Sequence, residues 1–146
     1  MELTRRPNRN RQHEGGWHVY FGDVRVGHIG RRSGVPTDLP QWGWSCGFYP
    51  GCGPSQTANG SASSFEEAKA GFENAWQKLL PNLKDADFEA WRKDRDFSAW
   101  KQRMWDEKCR LPTQNPNGIS RCFCGETITN ADYSRHIHTA HKGIGA

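Results

Sequence analysis

The last 26 residues of the chain concentrate side chains that bind metal ions. Five of them lie within 20 residues: Cys122, Cys124, His136, His138 and His141. Two thiolates from a tight turn and two imidazoles from a helix can enclose Zn²⁺ in a tetrahedron, and the metal then stabilises a segment that is too short to form its own core. The sequence therefore predicts a zinc site at Cys122, Cys124, His136 and His141. Because four protein ligands leave no position for water, we expect this zinc to be structural.

The order of these residues resembles that of the two-Cys, two-His zinc finger. Ile128 and Tyr133 lie between the cysteines and the histidines, where this family has core positions. In its DNA-reading members the start of the finger helix contacts bases, and Arg135 falls in the matching stretch. One finger covers only about three base pairs. The rest of the chain or a partner would therefore have to supply most of the affinity.

The spacing of the ligands departs from this family in two ways. Cys122 and Cys124 are separated by one residue instead of the usual two or more, and 11 residues separate Cys124 from His136. His138 lies on the same predicted helix and is a rival ligand, and Cys109 is a further alternative.

The net charge of +4 is concentrated toward the two ends of the chain. Residues 1–62 contain seven Arg and four acidic residues, whereas residues 63–108 are slightly acidic. Residues 1–15 predict a disordered basic arm, which either contacts phosphates or serves only as a solubilising tail. The predicted contacts to DNA or RNA are the arginines of this arm, of the following strands and of the finger: Arg5, Arg6, Arg9, Arg11, Arg25, Arg31, Arg32 and Arg135.

Three strands are predicted in the first half of the chain. Residues 17–21 and 24–29 are rich in aromatic and β-branched side chains and flank a Gly-Asp turn, which is typical of a hairpin. In residues 41–49, alternate side chains from Trp42 to Phe48 are apolar. Because alternate residues of a strand share a face, we expect this face to lie on the core.

A turn-rich connection and a helix complete this predicted domain. Residues 50–64 are uncharged and rich in Gly, Ser and Pro, which predicts a flexible connection. Apolar residues three and four apart over residues 65–80 predict a helix, capped by Ser63 or Ser64 with a glutamate three residues later. Residues 16–81 are therefore expected to form an α+β domain, a three-stranded antiparallel sheet packed on a helix in the order β-β-β-α.

The segment at residues 82–111 is helical in composition and contains an internal repeat. The sequence DFEAW at residues 87–91 returns nine residues later as DFSAW, which would place the two Phe/Trp pairs on opposite sides of a straight helix. We predict a break near Asp96, which would cap a second helix. The alternative is one helix contacted on two sides. Residues 112–120 predict a linker to a zinc-finger-like tail at residues 121–146.

Tryptophans are in surplus in this helical segment. Trp91, Trp100 and Trp105 fall on more than one side of it, and a small domain can hardly bury all three. Exposed Trp and Arg are preferred anchors of protein interfaces. They indicate the alternative function, a protein-interaction module or an inhibitor from a mobile element or phage.

Sequence strings outside the finger carry a second resemblance. WGWSCGFYPG at residues 42–51 and RCFCGE at residues 121–126 resemble a family of small uncharacterised proteins from rhizobia-type alphaproteobacteria and their mobile elements. The resemblance covers roughly residues 17–128. It implies a bacterial or phage cytoplasmic protein and carries no activity with it.

No motif in the sequence identifies an enzyme. The chain has no Gly-rich phosphate loop, no G-x-S-x-G and no H-E-x-x-H. Cys46 or Cys52 could be a reactive thiol beside His18 or His28, but a buried structural cysteine is the commoner case. A metal-dependent nuclease that uses the tail histidines stays open as an alternative. No apolar run approaches the ~20 residues that cross a bilayer, so we expect a cytoplasmic protein that does not enter the membrane.

Overall fold

Seven strands and three α-helices form within residues 2–8 and 15–146, the part of the chain that the computed structural model describes. In chain order they are β1 (Leu3–Pro7), β2 (Trp17–Phe21), β3 (Val24–Arg31), β4 (Trp42–Cys46), β5 (Ala58–Ala62), α1 (Phe65–Leu79), α2 (Asp85–Asp106), β6 (Ile119–Arg121), β7 (Thr127–Thr129) and α3 (Tyr133–Ala140). The chain divides into two compact units, Met1–Trp91 and Arg92–Ala146, and each has its own hydrophobic core. No helix in the described residues is both long and apolar enough to span a membrane.

The first unit is built on an antiparallel sheet with the strand order β1-β2-β3-β4-β5. One face of the sheet is apolar because Val24, Val26 and Ile29 of β3 are buried, whereas Arg25 and His28 of the same strand are exposed. Helix α1 packs against the apolar face. Its buried side chains are Ala68, Phe72, Trp76 and Leu79. Each large apolar side chain that is fully buried in this way contributes roughly 1.5–3 kcal/mol.

The main sheet has five strands, so the predicted three-stranded sheet is wrong in its strand number. β5 lies in the segment 50–64 that was expected to be a flexible connection, and it pairs with β4. Its small residues have little intrinsic β-propensity. A side chain at Gly60 would come within 2.8 Å of the Trp44 ring, and one at Gly71 of α1 within 2.6 Å. These glycines thus leave room for the Trp44 ring, a tertiary requirement that composition does not reveal.

Strand β1 replaces part of the predicted disordered arm. It pairs along its whole length with β2, and its two arginines stack on aromatic rings. The guanidinium of Arg5 lies 5.1 Å from the centre of the Trp17 ring, and that of Arg6 lies 4.2 Å from the centre of the Tyr20 ring. Cation–π contacts of this kind stabilise a strand in a segment that is too polar to predict one.

The N-terminus of α1 confirms the predicted cap and resolves its alternatives. Ser64 is the capping residue, and its hydroxyl accepts a hydrogen bond from the backbone N–H of Glu67 at 3.2 Å. The Glu67 carboxylate in turn accepts from the backbone N–H of Ser63 at 3.1 Å and from the Ser63 hydroxyl at 2.6 Å. These hydrogen bonds lower the pKa of Glu67. They satisfy N–H groups that the helix itself leaves unpaired.

Helix α2 is continuous over its 22 residues, so the predicted break near Asp96 is wrong and the alternative of a single helix holds. The helix contains no Gly or Pro that would interrupt it. The two copies of the repeat belong to different cores. Phe88 and Trp91 pack with the core of the first unit, and Phe97 and Trp100 pack with that of the second.

Asp96 holds the C-terminal residues instead of capping a helix. Its carboxylate is 3% exposed and accepts hydrogen bonds from the backbone N–H groups of Gly143 at 2.9 Å and Gly145 at 3.1 Å. The Arg95 guanidinium lies 3.1 Å from the same carboxylate. Burial raises the pKa of Asp96, but these three partners outweigh it and leave the pKa below its ordinary value. Asp96 thereby fixes the chain just after His141.

The second unit combines the β6-β7 hairpin and α3 with the second part of α2. Its core consists of Trp100, Met104, Cys122, Ile128 and Ile137. The segment 112–120, predicted as a linker, contains a short 3-10 turn at Pro112–Gln114 and the first residues of β6. Residues 121–146 therefore share a core with the second part of a long helix.

Candidate metal centre and basic sheet face

Four metal-binding side chains converge in the second unit. Cys122 and Cys124 lie in the turn between β6 and β7, His136 lies in α3, and His141 follows the last residue of that helix. A hydrogen bond from the backbone N–H of Gly125 to the Cys122 carbonyl, at 2.8 Å, closes the turn. The donor atoms of the four side chains lie within 4.8 Å of one another. The residues predicted from the spacing are thus close enough to hold a metal ion.

The separations between these donor atoms suit a tetrahedral zinc ion. Cys122 Sγ lies 3.4 Å from His141 Nε2, and Cys124 Sγ lies 3.5 Å from His136 Nε2. With Zn–S near 2.3 Å and Zn–N about 2.0–2.1 Å, a tetrahedron places sulfur and nitrogen about 3.5 Å apart. Two thiolates and two imidazoles are also a donor set that Zn²⁺ prefers. The cluster is consistent with zinc on both counts.

Two side chains outside the cluster contact its members. A Glu126 carboxylate oxygen lies 3.0 Å from His136 Nδ1, on the opposite side of the ring from the nitrogen that faces the cysteine. The Trp100 indole N–H donates a hydrogen bond to Cys122 Sγ at 3.3 Å. Contacts of this kind orient metal ligands and fix the histidine tautomer. Sequence reasoning missed both roles, because neither residue stands at a characteristic offset from the ligand it contacts.

The protonation of the cluster follows from its burial. Burial raises the pKa of the Cys122 thiol above its ordinary value, and hydrogen bonds from the Cys124 backbone N–H and the Trp100 indole act against this. Burial lowers the pKa of His141, and positive charge at His136 acts in the same direction. A lowered pKa keeps His141 neutral near pH 7, which is the form of imidazole that binds metal ions.

The two alternative ligands are not part of this cluster. His138 and Cys109 lie outside the group of four that the described residues bring together. Cys109 instead directs its thiol to the carbonyl of Glu107, at 3.7 Å. The one-residue spacing between Cys122 and Cys124 therefore does not prevent the four predicted residues from converging.

A row of polar residues crosses the other face of the five-stranded sheet. The strand register pairs Arg6 with His18, His18 with His28, His28 with Ser45 and Ser45 with Asn59. Directly paired residues of antiparallel strands point to the same face. The five strands contain four Arg and two His but no Asp or Glu. Of these, Arg6, Arg25 and both histidines lie on this face, whereas Arg5 and Arg31 pair with Val19 and Trp42 on the apolar face. Because the strands contain no acidic residue, this face is positively charged.

An open cavity of about 860 Å³ lies over this surface. It is lined by four residues of the row and by Arg25, Arg31 and Arg32, and none of its lining residues is acidic. Arg32 is held in place by a hydrogen bond from its guanidinium to the Pro40 carbonyl, at 3.1 Å. We call the row together with Arg25 and Arg32 the basic face. Arg31 is not included, because it pairs with Trp42 on the apolar face and its guanidinium lies 5.7 Å from the centre of the Trp42 ring.

The other arginines predicted to contact nucleic acid lie elsewhere. Arg5 stacks on Trp17, away from the row that contains its neighbour Arg6. Arg135 is exposed on α3 of the second unit. Arg9 and Arg11 lie outside the described residues.

The three tryptophans that were expected to form an interaction surface differ in exposure. Trp100 is 0% exposed, so its assignment to an exposed surface is wrong. It fills the core of the second unit beside the metal-binding cluster. Trp91 is half-buried and packs with the first core, whereas Trp105 is 78% exposed.

The remaining cysteines do not have the properties of nucleophiles. Cys46 and Cys52 are both buried, and none of the five cysteines, all of which are described, forms a disulfide. Burial, and secondarily the neighbouring Cys52, raises the pKa of Cys46 to about 12. Burial also raises the pKa of Cys52. Both thiols therefore stay protonated at neutral pH and serve as small core residues.

No family model, curated protein or solved structure matches the chain. The two candidate sites therefore rest on the residues and distances of this chain.

Proposed function

We propose that this protein binds nucleic acid through the basic face and that its second unit contains a structural zinc ion. The observation that carries the proposal is the charge of the basic face, which contains three Arg, two His and no acidic residue. The row from Arg6 to Asn59 spans the whole sheet. An extended surface with one sign of charge suits a polyanion better than a small ligand.

The side chains of the basic face have the chemistry of phosphate recognition. An arginine presents a planar fork of N–H donors that matches phosphate oxygens. Ser45 and Asn59, in the same row, can donate to phosphate or sugar oxygens. These contacts fix the position of a strand but carry no sequence information. The basic face therefore supports binding that depends on charge and not on a particular sequence.

The role proposed for zinc is to stabilise the second unit. When bound, the ion would cross-link the β6-β7 turn to α3 through Cys122, Cys124, His136 and His141. Glu126 and Trp100 would hold one histidine and one cysteine in position. Arg135 of α3 is exposed and offers an additional phosphate contact.

The test is a binding titration of labelled nucleic acid against the purified protein at increasing salt concentration. If Arg6, Arg25 and Arg32 each contact one phosphate, affinity should fall by about 20- to 40-fold between 50 and 200 mM salt. The variant Arg25→Ala should bind more weakly and lower the salt slope by about 0.7–0.9. Lys78→Ala is the matched control, because Lys78 is exposed on α1, against the opposite face of the sheet.

The proposal fails if neither single-stranded nor duplex nucleic acid binds at low salt. It also fails if Arg25→Ala and Lys78→Ala weaken binding equally.

One observation favours a second candidate, the protein-interaction module. Trp105 is 78% exposed and borders a cavity of about 580 Å³ together with Lys108 and Arg110. An exposed indole beside cationic side chains is a typical interface anchor.

A further inference from the structure

A second, smaller pocket in the first unit adjoins the basic face. Its volume is about 260 Å³. It shares four lining residues with the larger cavity: His18, Arg25, His28 and Ser45. Its wall also includes three aromatic side chains, Phe48, Tyr49 and Trp91. We call it the aromatic pocket. A ligand lying on the basic face can reach it without leaving the protein surface.

The three rings of the aromatic pocket differ in how much of each is exposed. Phe48 is buried, and Trp91 is half-buried against the same core, so both form a fixed wall. Tyr49 is 87% exposed, although a ring of this size is usually packed. Its exposed ring offers a face on which a planar ligand can stack. Because Arg25 also lines the pocket, a cationic side chain lies close to that ligand.

The size and chemistry of the aromatic pocket limit what can occupy it. Pockets that hold drug-sized ligands measure roughly 300–1,000 Å³, so this one suits a single planar ring system. The Ser45 hydroxyl can hydrogen-bond to the edge of such a ring, and Arg25, which lines both cavities, can contact the phosphate of the same nucleotide. A nucleobase combines a flat apolar face with a polar edge, and aromatic side chains stack on every base type.

We infer that the aromatic pocket holds one unstacked base of a single-stranded nucleic acid whose phosphates contact the basic face. This inference rests on the proposed function and specifies its substrate class. A base in a duplex must be unpaired and unstacked before it can enter a pocket, which costs free energy. A single strand presents its bases without that cost. Single strands should therefore bind more tightly than duplexes.

The experiment compares one labelled oligonucleotide of mixed sequence as a single strand and as a duplex, by fluorescence anisotropy at low salt. The wild-type protein should bind the single strand about tenfold more tightly. Tyr49→Ala should weaken single-strand binding about tenfold, the effect of losing one base–aromatic stack. It should leave duplex binding unchanged. Tyr49→Phe keeps the ring and should bind as the wild type does.

Trp105→Ala is the matched control, because it removes an exposed ring from the second unit, outside the aromatic pocket. If the duplex binds as tightly as the single strand, or if Tyr49→Ala has the same small effect as Trp105→Ala, the base-binding inference is overturned while the proposed function stands. If neither form binds at low salt, the proposed function fails and the inference with it. The single-strand preference is measured on the wild-type protein, so it does not depend on any variant folding.

Discussion

At the scale of single residues, the two cysteines of the cluster in the second unit differ in exposure. Cys122 is buried and bonded to Trp100, whereas Cys124 is exposed. Removing the Cys124 thiol therefore deletes a candidate metal ligand with little damage to the core. We expect Cys124→Ser to lose about one bound zinc ion per chain, because a hydroxyl is a much poorer zinc ligand than a thiolate. Metal analysis of the purified protein measures this loss.

Cys109→Ser provides the comparison, because it removes a thiol that lies outside the cluster. It should retain the zinc content of the wild-type protein. Equal metal contents in the two variants would show that Cys124 is not a ligand.

The Asp96 carboxylate should make stability depend on pH. Its pKa in the folded protein is below its ordinary value of ~3.9. Its stabilising effect is therefore fully present above that ordinary value and is lost as the pH falls through the lower, folded pKa. We expect Asp96→Asn to reduce the free energy of unfolding by about 1–2 kcal/mol at pH 6, since charged hydrogen bonds to two backbone N–H groups are weakened. Urea titrations of both proteins measure the difference.

The difference between Asp96→Asn and the wild type should shrink as the pH is lowered below about 4, because the wild-type carboxyl then becomes neutral as well. Lys101→Gln, which changes one charge on the exposed surface of the same helix, should show no such convergence. A difference that stays constant with pH would contradict the role given to the Asp96 charge.

Residue types and spacing sufficed to predict which four side chains converge in the cluster. Cysteines and histidines at these sequence separations indicate metal binding even when the fold is not known. Glu126, Trp100 and Asp96 could not be identified in this way. Their contacts depend on how α2 and the C-terminal residues pack, and a Glu or Trp without a fixed offset from a ligand carries no signal.

At the scale of elements, the N-terminal cap of α1 can be tested directly. Ser64→Ala removes the oxygen that accepts from Glu67 N–H. We expect a loss of about 1 kcal/mol in the free energy of unfolding, the usual cost of deleting such a cap. The measurement is the urea midpoint of the helical circular dichroism signal.

Ser55→Ala is a suitable control for the cap, because Ser55 is an exposed serine in a short turn. Its urea midpoint should match that of the wild type. Equal midpoints for all three proteins would mean that the cap contributes nothing to stability.

An element could be predicted from the sequence where the features that stabilise it lie within its own residues. Helix α1 carries a periodic apolar face and a cap in its own sequence, and β2, β3 and β4 carry aromatic and β-branched residues. β1 and β5 do not, because arginine stacking and the space around Trp44 depend on partners elsewhere in the chain. The expected break in α2 failed for a similar reason. The two copies of its repeat pack into different cores. The period of the sequence alone cannot distinguish this arrangement from two separate helices.

At the scale of the whole molecule, the two cores predict separate responses to metal removal. The cluster contributes Cys122 to the core of the second unit and no residue to that of the first. A strong chelator should therefore abolish amide protection in residues 119–141 and leave that of residues 17–46 nearly unchanged. Hydrogen exchange measures both regions in one experiment, and added zinc should restore the lost protection. Loss of protection in both regions together would contradict this independence.

The separation of charge across the first unit has a kinetic consequence. The open face of the sheet is basic, whereas on α1, which covers the opposite face, Glu66, Glu67 and Glu73 outnumber Lys69 and Lys78. The unit is thus an electric dipole that a polyanion's field turns before contact, so that the basic face leads each encounter. A larger fraction of collisions then occurs in the orientation that leads to binding. Added salt should slow association far more than it hastens release, because screening removes the guidance and leaves the docked contacts in place.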